Sequence, residues 1–278
     1  MLELKGVSKT FNMGTVNEKK ALVDIDFTIE DGDFITVIGG NGAGKSTLLN
    51  VIAGVYTPES GSIVLAGKDI TRLPEHKRAK YLGRVFQDPM TGTAASMEIQ
   101  ENLALAYRRG KLRGLRWGVP KKEKAFFKQQ LAFLGLGLED RMTAKVGLLS
   151  GGQRQALTLL MATLKKPELL LLDEHTAALD PKTAARVLEV TEEIASRENL
   201  TTLMITHNMR DAIRYGNRLI MMHEGKIIYD VKGEEKQKLT VAELLKKYKS
   251  RSQGLLMIGP RPPPPHAGGA AVASSEGK

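Results

Sequence analysis

A glycine-rich segment that ends in a lysine and two hydroxyl residues fits the phosphate-binding pattern G-x-x-x-x-G-K-[ST]. Its residues are Gly39, Gly40, Asn41, Gly42, Ala43, Gly44, Lys45, Ser46 and Thr47. The apolar run 34–38 predicts a buried strand before it, and residues 45–53 predict the start of a helix after it. Glycines allow consecutive backbone N–H groups to surround an anion, and a helix N-terminus adds partial positive charge. Lys45 can then reach the outer phosphates and Ser46 can bind Mg²⁺, so the segment predicts a nucleoside triphosphate site rather than a simple turn.

Two carboxylates follow a second apolar run. Residues 169–172 are four leucines, and Asp173 and Glu174 come directly after them. If the leucines form a buried parallel strand, both carboxylates emerge at its carboxyl end, where α/β proteins bind ligands. Asp173 is then expected to hold Mg²⁺ through its water shell, and Glu174 to orient and deprotonate an attacking water. Many strands end in Asp-Glu, so this prediction depends on the phosphate-binding segment upstream.

A second candidate anion site precedes a predicted helix at 154–164. It consists of Ser150, Gly151, Gly152 and Gln153. Ser150 can cap the helix, and the two glycines leave the backbone N–H groups accessible. One nucleotide needs one phosphate cradle, so a second cradle indicates another ligand or the nucleotide of another subunit. A plain capped helix is the alternative interpretation.

Together these motifs resemble those of the ATP-binding subunits of ABC transporters, over residues 1–250. In that family the string 149–153 is the signature motif, and two copies pack head to tail. Each ATP lies between the phosphate loop of one copy and the signature motif of the other. The resemblance therefore implies an enzyme that hydrolyses ATP with Mg²⁺ and forms a homodimer through ATP.

The resemblance also implies roles for four residues outside these motifs. Gln87 is expected to contact Mg²⁺ and the attacking water, and His207 is expected to contact the γ-phosphate. Asp180 is expected in a loop that crosses the dimer interface. Phe11 is the candidate for an aromatic ring that stacks on adenine, with a hydrophobic cover for the sheet edge as the alternative. His175 departs from the family pattern, because many members have Pro at this position.

The order of strands and helices along the chain predicts an α/β fold. Strand patterns alternate with helical ones, which implies a largely parallel sheet covered on both faces, with a helical insert in the middle. The resemblance implies a P-loop NTPase (RecA-like) core at 1–88 and 155–250, with an antiparallel β subdomain. It places a helical subdomain at 89–154. The Pro/Gly/Ala-rich segment 251–278 is expected to be a disordered tail.

Composition limits the functional classes further. The chain has 278 residues, of which 42% are hydrophobic and 26% charged, as in ordinary globular proteins, and it has no cysteine. Thiolate catalysis, disulfides and Cys-zinc sites are therefore excluded. No apolar run approaches the ~18 residues that span a bilayer, and we expect no secretory signal. The chain has a net charge of +10, and many of its basic residues lie in the stretch 108–128. We expect this stretch to contact a permease or an anionic membrane, and a solvated face is the alternative.

The expected function is ATP hydrolysis that drives solute import through a separate transmembrane permease. The resemblance further implies an extracytoplasmic substrate-binding protein, a peripheral position on the cytoplasmic face of the inner membrane, and no nucleic-acid partner. Four segments resemble a narrower group of importers often assigned to amino acids such as tryptophan or tyrosine: 73–78, 87–90, 107–110 and 173–177. Two alternatives stay open, an ATPase for export or lipoprotein release and a soluble ABC protein that acts on ribosomes or DNA.

Overall fold

Within residues 1–110 and 118–257, which the computed structural model describes, ten strands form two sheets. The strands are β1 (Leu2–Phe11), β2 (Lys19–Ile29), β3 (Phe34–Gly39), β4 (Ser60–Leu65), β5 (Lys68–Asp69), β6 (Leu82–Val85), β7 (Leu169–Asp173), β8 (Thr202–Ile205), β9 (Arg218–His223) and β10 (Lys226–Lys232). The smaller sheet is antiparallel in the order β2-β1-β4-β5, and the larger has the order β10-β9-β3-β8-β7-β6. In the larger sheet β10 is antiparallel at one edge and the other strands run parallel.

Helices cover the larger sheet and separate it from the smaller one. In the described ranges they are α1 (Lys45–Ala53), α2 (Glu75–Arg78), α3 (Ile99–Tyr107), α4 (Lys121–Phe133), α5 (Gly151–Thr163), α6 (Pro181–Arg197), α7 (Met209–Arg214), α8 (Glu234–Gln237) and α9 (Val241–Met257). Helix α1 begins at Lys45, as predicted, and the alternation of strands with helices confirms the α/β fold class. The subdomain boundary predicted after residue 154 falls inside α5, because this helix begins at Gly151, directly after its capping residue, and continues without interruption.

The central strands are buried on both faces, as strands of a covered parallel sheet must be. On β7, Leu169 and Leu171 pack in one hydrophobic cluster with α1 and the inner face of the antiparallel sheet. Leu170 and Leu172 point to the opposite face and pack with residues of α3, α4, α5 and α6. Helix α1 therefore lies between the two sheets, and the end of β7 is fixed by packing from both sides.

A buried arginine fixes the C-terminus of α1. Arg78 is 1% exposed, and its Nη1 donates hydrogen bonds to the carbonyl oxygens of Val51 at 2.8 Å and Ile52 at 2.7 Å. Its Nε donates to the Leu73 carbonyl oxygen at 2.7 Å. Burial lowers the pKa of Arg78 to about 10, so the guanidinium stays charged at neutral pH. A cation at this end of the helix satisfies carbonyls that have no partner within the helix and complements its dipole.

The C-terminal region differs from the expectation of a tail that begins at residue 251. Helix α9 continues to Met257, since no proline interrupts the chain before Pro260. Residues 258–278 of the predicted tail and residues 111–117 of the basic stretch lie outside the described residues. Among the helices that are described, none is long and apolar enough to cross a bilayer.

Candidate nucleotide-binding and hydrolysis site

Four predicted site segments meet at the carboxyl edge of the parallel sheet. Strands β3, β8, β7 and β6 are neighbours in that order. The glycine-rich segment follows β3, His207 follows β8, Glu174 follows β7 and Gln87 follows β6. Neighbouring strands are about 4.8 Å apart, so their carboxyl ends bring these residues to one edge of the sheet. The sheet thus assembles side chains that are far apart in sequence.

The glycine-rich segment requires glycine at two positions. Gly39 has a φ of 157°, and a Cβ there would lie 2.4 Å from the carbonyl oxygen of Met222. Gly44 has a φ of 103°, and a Cβ there would lie 2.5 Å from the carbonyl oxygen of Ala21. Gly44 is also the N-cap residue of α1, so it has no side chain to occupy the first N–H groups of that helix. These N–H groups can bind an anion.

Lys45 is the first residue of α1, and its side chain folds back over the loop. Its Nζ donates hydrogen bonds to the carbonyl oxygens of Gly39 at 2.9 Å and Gly40 at 3.2 Å. Both acceptors are uncharged, so phosphate oxygens, which form stronger charge-assisted hydrogen bonds, can replace them. The next residue, Ser46, is exposed at the same end of the helix. Lys45 and Ser46 therefore lie together where a phosphate group would meet the helix N-terminus.

A pocket of about 160 Å³ lies beside this loop. It is lined by Phe11, Lys19, Ala21 and residues 42–47. The Phe11 ring packs edge-on against Tyr56, with ring centroids 5.1 Å apart, which fixes its orientation at the wall of the pocket. This position suits an aromatic ring that contacts a nucleotide base.

Lys19 is a pocket residue that no local sequence motif indicates. The antiparallel register pairs Lys19 of β2 with Phe11 of β1. The Lys19 Nζ lies 3.3 Å from the position that a Cβ on Gly42 would take. A second cation therefore faces the phosphate-binding segment. Two adjacent lysines at 19–20 are the available sequence signal, but only the strand register shows what they face.

Asp173 and Glu174 lie at the end of β7, and both are half-buried. Burial raises the pKa of Asp173, and the charge of Glu174 raises it further, whereas Arg84 and Lys45 lower it. Arg84 is held in place by Asn50, whose Oδ1 accepts a hydrogen bond from Nη2 at 2.6 Å. Burial disfavours the charged form of this carboxylate, and a bound divalent cation would stabilise that form.

The available oxygen donors fit Mg²⁺ bound largely by phosphates. In the part of the chain that the structure describes, no group of three or more His, Asp or Glu side chains could hold a metal ion. Mg²⁺ usually takes one or two protein ligands and completes its shell with phosphate oxygens and water. Ser46, Gln87 and Asp173 offer a hydroxyl, an amide and a carboxylate oxygen, which are donors that this ion prefers.

Glu174 has a backbone conformation that L-residues rarely adopt. Its φ is 44°, and its N–H donates a hydrogen bond to the Ile205 carbonyl oxygen at 3.1 Å. Its Oε2 lies 3.9 Å from Nδ1 of His207, and both residues line a cavity of about 310 Å³. The His207 side chain is 65% exposed, so it can reach a ligand in that cavity. An acid and an imidazole therefore face the same space at the strand ends.

Ser150 caps helix α5, as the sequence predicts. Its hydroxyl accepts a hydrogen bond from the Gln153 N–H at 3.3 Å, and the Gln153 Oε1 accepts one from the Ser150 N–H at 3.2 Å. Ser150 and Gly151 are exposed, whereas Gly152 is buried. A Cβ on Gly152 would lie only 2.0 Å from Cγ2 of Thr183 in α6. Gly152 thus permits close packing of two helices, and the exposed part of the motif is Ser150 with Gly151.

Asp180 and Gln87 are also exposed. The Asp180 Oδ1 accepts a hydrogen bond from the Thr183 N–H at 3.1 Å, which caps α6. Hydrogen bonding with the Thr183 side chain and then with its backbone lowers the pKa of Asp180. Gln155 of α5 donates from Nε2 to the carbonyl oxygen of Phe86 at 3.2 Å, directly before Gln87. Neither Asp180 nor the exposed signature residues line the phosphate-loop pocket. One chain therefore presents two separate groups of predicted nucleotide contacts.

This geometry places the chain in the class of nucleoside triphosphatases with a phosphate-binding loop. The family model described as ABC transporter matches residues 22–177. A tyrosine transport ATP-binding protein from Clostridioides difficile (strain R20291) is 47% identical over 248 residues, which cover 89% of this chain and 98% of the relative. The chain belongs to the ABC transporter family, as an ATP-binding subunit that hydrolyses ATP.

Further relatives agree with this family. The methionine import ATP-binding protein MetN 2 of Enterococcus faecalis (strain ATCC 700802 / V583) is 36% identical over 251 residues, covering 89% of this chain and 70% of the relative. A solved dimeric ATP-binding cassette in a post-hydrolysis state, bound to ADP and Pi, matches with a TM-score of 0.71 and 28% identity, over 84% of this chain and 98% of that chain. CbiO1 from Clostridium perfringens, part of the ABC transporter complex cbiONQ, matches with a TM-score of 0.72 and 26% identity, over 92% of this chain and 98% of that chain. The expected P-loop core with its antiparallel sheet is thereby confirmed.

Proposed function

We propose that this chain powers an importer whose solute is an amino acid. The observation that carries this proposal is the 47% identity to the tyrosine transport ATP-binding protein, of which the chain covers 98%. The methionine import relative, at 36% identity, supports the same class of solute. The solute class is taken from the relatives because the sites described above are built for a nucleotide.

The phosphate-binding segment is proposed to bind the phosphate groups of ATP. The N–H groups of 39–44 and of the first turn of α1, with Lys45, bind the phosphate oxygens. Phe11 and Lys19 line the pocket beside them, where the base and the remaining charges of the nucleotide would lie. Mg²⁺ held by Ser46, Gln87 and Asp173 would neutralise charge on the phosphates. Each of these groups positions the nucleotide before the reaction begins.

Glu174 is the proposed general base. Its carboxylate lies at the end of β7 and faces the same cavity as His207, with 3.9 Å between Oε2 and Nδ1. In the proposed reaction Glu174 orients the attacking water and takes its proton, while His207 contacts the γ-phosphate. Phosphoryl transfer to water depends mainly on such positioning and on charge stabilisation.

Two copies of the chain are proposed to share two nucleotides. The solved relative that is bound to ADP and Pi is dimeric. In this chain Ser150, Gly151 and Asp180 are exposed and do not line the chain's own phosphate-loop pocket. We therefore assign them to the ATP and interface of the partner copy, with Gly152 and Gln153 holding the motif in shape.

A groove between α2 and α3 suits a cytoplasmic segment of a permease. Its volume is about 560 Å³, and it is lined by apolar and basic residues: Leu73, His76, Lys77, Ala79, Lys80, Leu105, Ala106, Arg109 and Gly110. These lining residues include no carboxylate, so a helix that carries apolar and acidic side chains complements them. Docking there would hold the chain at the cytoplasmic face of the inner membrane, with a substrate-binding protein acting on the other side of the permease.

Two arginines in the described part of the basic stretch 108–128 are bound within the chain. Arg108 pairs with Glu123 at 2.8 Å, and Arg109 Nη2 donates to the Ala162 carbonyl oxygen at 3.3 Å, so both arginines brace the helical region. The stretch also contains exposed lysines, which keep the proposed role of facing the permease or anionic lipid: Lys121, Lys122, Lys124 and Lys128.

Replacing the proposed base tests the hydrolysis mechanism. Glu174→Gln keeps the size of the side chain but cannot accept a proton, so we expect turnover to fall by about 10²-fold or more while ATP still binds. Phosphate release measures turnover, and gel filtration with ATP and Mg²⁺ measures the dimer, which this variant should trap. Glu235→Gln, at an exposed position in α8, is the matched control and should hydrolyse ATP at the parent rate. Hydrolysis by Glu174→Gln at the parent rate would contradict the assignment.

Co-purification tests the transport direction. Purification of the chain from membranes with a multispan permease and a binding protein supports import. A permease with a large extracytoplasmic domain would instead indicate export or lipoprotein release, and ribosomes or DNA would indicate the soluble class. Vesicles reconstituted with the purified complex should then accumulate tyrosine or another amino acid only with ATP, and vesicles made with Glu174→Gln should not.

A further inference from the structure

His175 follows Glu174 directly, and its side chain is buried although it is polar. The residue is 2% exposed, and its Nε2 lies 3.2 Å from the Oγ1 of Thr191 in α6. Thr191 is 1% exposed and donates its hydroxyl proton to the Val187 carbonyl oxygen at 2.7 Å. Because that hydroxyl has a single proton, its oxygen accepts from the imidazole, which places the imidazole proton on Nε2.

The backbone next to His175 needs support. Glu174 has a φ of 44°, in the left-handed region, where a residue with a side chain is strained and persists only if its surroundings hold it. Two backbone hydrogen bonds hold it: its N–H donates to Ile205 at 3.1 Å, and its carbonyl accepts from Ala177 at 2.9 Å. The imidazole of the following residue adds a third attachment, from the loop to helix α6.

We propose that His175 is a positioning residue for ATP hydrolysis, fixing the Glu174 carboxylate through the hydrogen bond to Thr191. This inference rests on the proposed role of Glu174 as the base. The bond joins the loop after β7 to α6, so the direction in which the chain leaves Glu174 depends on it. A base that must align one water with the γ-phosphate is sensitive to small displacements of this kind.

The same helix carries a second contact with the nucleotide machinery. Thr183, in the first turn of α6, touches Gly152 of the signature motif, where an added Cβ would lie 2.0 Å from its methyl group. Helix α6 therefore contacts the signature motif near its start and the loop of the base through Thr191. The His175 bond is the side-chain connection by which the position of α6 determines that of Glu174.

Four variants separate positioning from simple filling of space. His175→Leu removes the hydrogen bond and keeps an apolar volume, whereas His175→Gln offers an amide N–H in place of Nε2. Thr191→Val removes the acceptor at constant volume. Thr163→Val is the matched control, because Thr163 is also a buried helical threonine whose hydroxyl donates to a backbone carbonyl, that of Leu159 at 2.9 Å.

We expect kcat to fall by about tenfold or more in His175→Leu and in Thr191→Val, with the KM for ATP changed less than about twofold. His175→Gln should recover most of the parent kcat, and Thr163→Val should retain it. The double variant His175→Leu/Thr191→Val should lose no more than the worse single variant, because both changes remove one interaction. Thermal unfolding of each variant shows that the protein assayed is folded.

Four results would overturn the proposal: a parent kcat in folded His175→Leu, a parent kcat in Thr191→Val, equal losses in His175→Leu and His175→Gln, or additive losses in the double variant. If His175→Leu does not fold, Thr191→Val still tests the proposal, because this substitution keeps the volume of the side chain. Glu174→Gln separates the two levels of inference. If Glu174→Gln loses turnover and Thr191→Val does not, the positioning role of His175 is wrong and Glu174 can still be the base. If Glu174→Gln retains turnover, Glu174 is not the base.

Discussion

Replacing Gly152 with Ala would insert a methyl group where α5 touches α6. The new Cβ would lie 2.0 Å from Cγ2 of Thr183, whereas carbon atoms in contact are about 3.5–4.0 Å apart, so either the helices or the Thr183 methyl group must move by about 1.5 Å or more. Overpacking of this kind costs about 1–3 kcal/mol, and the better helix propensity of Ala returns up to about 1 kcal/mol. The net loss is therefore between about 0 and 3 kcal/mol, and a loss in the middle of that range, about 1–2 kcal/mol, should lower Tm by roughly 2–8 °C.

A second substitution tests whether packing is the cause. Thr183→Ser removes Cγ2 and leaves the hydroxyl, whose oxygen lies 3.9 Å from the new Cβ position. The double variant Gly152→Ala/Thr183→Ser should therefore regain both Tm and ATPase activity, with Thr183→Ser alone as control. Differential scanning fluorimetry and phosphate release measure the two quantities. The packing explanation fails if the double variant unfolds as early as Gly152→Ala, and Gly152 acts on the nucleotide itself if stability returns without activity.

Three other results are expected. Lys19→Ala should raise the KM for ATP by up to about fivefold, which corresponds to the energy of one exposed charge pair, and Lys20→Ala should leave the KM unchanged. Equal effects of the two substitutions in steady-state assays would show that Lys19 does not contact the nucleotide. Tyr248→Phe should weaken binding of a fluorescent ATP analogue about twofold or more, because the Tyr248 hydroxyl, which is hydrogen-bonded to Nδ1 of His223 at 3.2 Å, packs against Gly40 of the loop, 3.1 Å from the position that a Cβ there would take. Burial lowers the pKa of His175 from 6.5 to about 4. Between these pH values the imidazole is therefore protonated in the unfolded chain but neutral in the folded chain. The free energy of unfolding, measured with urea, should therefore decrease as the pH falls from 6.5 to 4, and it should decrease less in His175→Leu. The same pH dependence in both proteins would exclude a contribution from His175.

The phosphate-binding segment could be predicted from sequence because its chemistry is local. The strand, the glycines and the helix follow one another without a gap, and in the structure α1 begins at Lys45, as predicted. The cap formed by Ser150 is equally local, since its partner Gln153 is three residues away. Such motifs need no knowledge of how distant parts of the chain pack.

Contacts that depend on register or on helix packing could not be predicted in this way. Lys19 faces the phosphate loop only because β2 pairs with β1 in one register. Nothing in the local pattern around Arg78 indicates that its guanidinium is buried against the end of α1. The partner of His175 lies sixteen residues away on α6, so the bond exists only once the helix packs beside β7. The family resemblance located His207 by order along the chain, and the neighbouring positions of β7 and β8 explain why it meets Glu174.

Helix α6 connects three motifs that are separate in sequence. Asp180 caps its first turn, Thr183 meets the signature glycine, and Thr191 holds the residue after the proposed base. Thr183 and Thr191 are separated by about 12 Å along the axis, at about 1.5 Å per residue, and the hydrogen-bonded backbone between them keeps that distance nearly constant. A displacement of the signature motif against α6 must therefore either break a contact or move the loop of Glu174. The tight fit at Gly152 and the bond at His175 are two contacts that impose this constraint, so substitution at either position should affect hydrolysis without touching the phosphate loop.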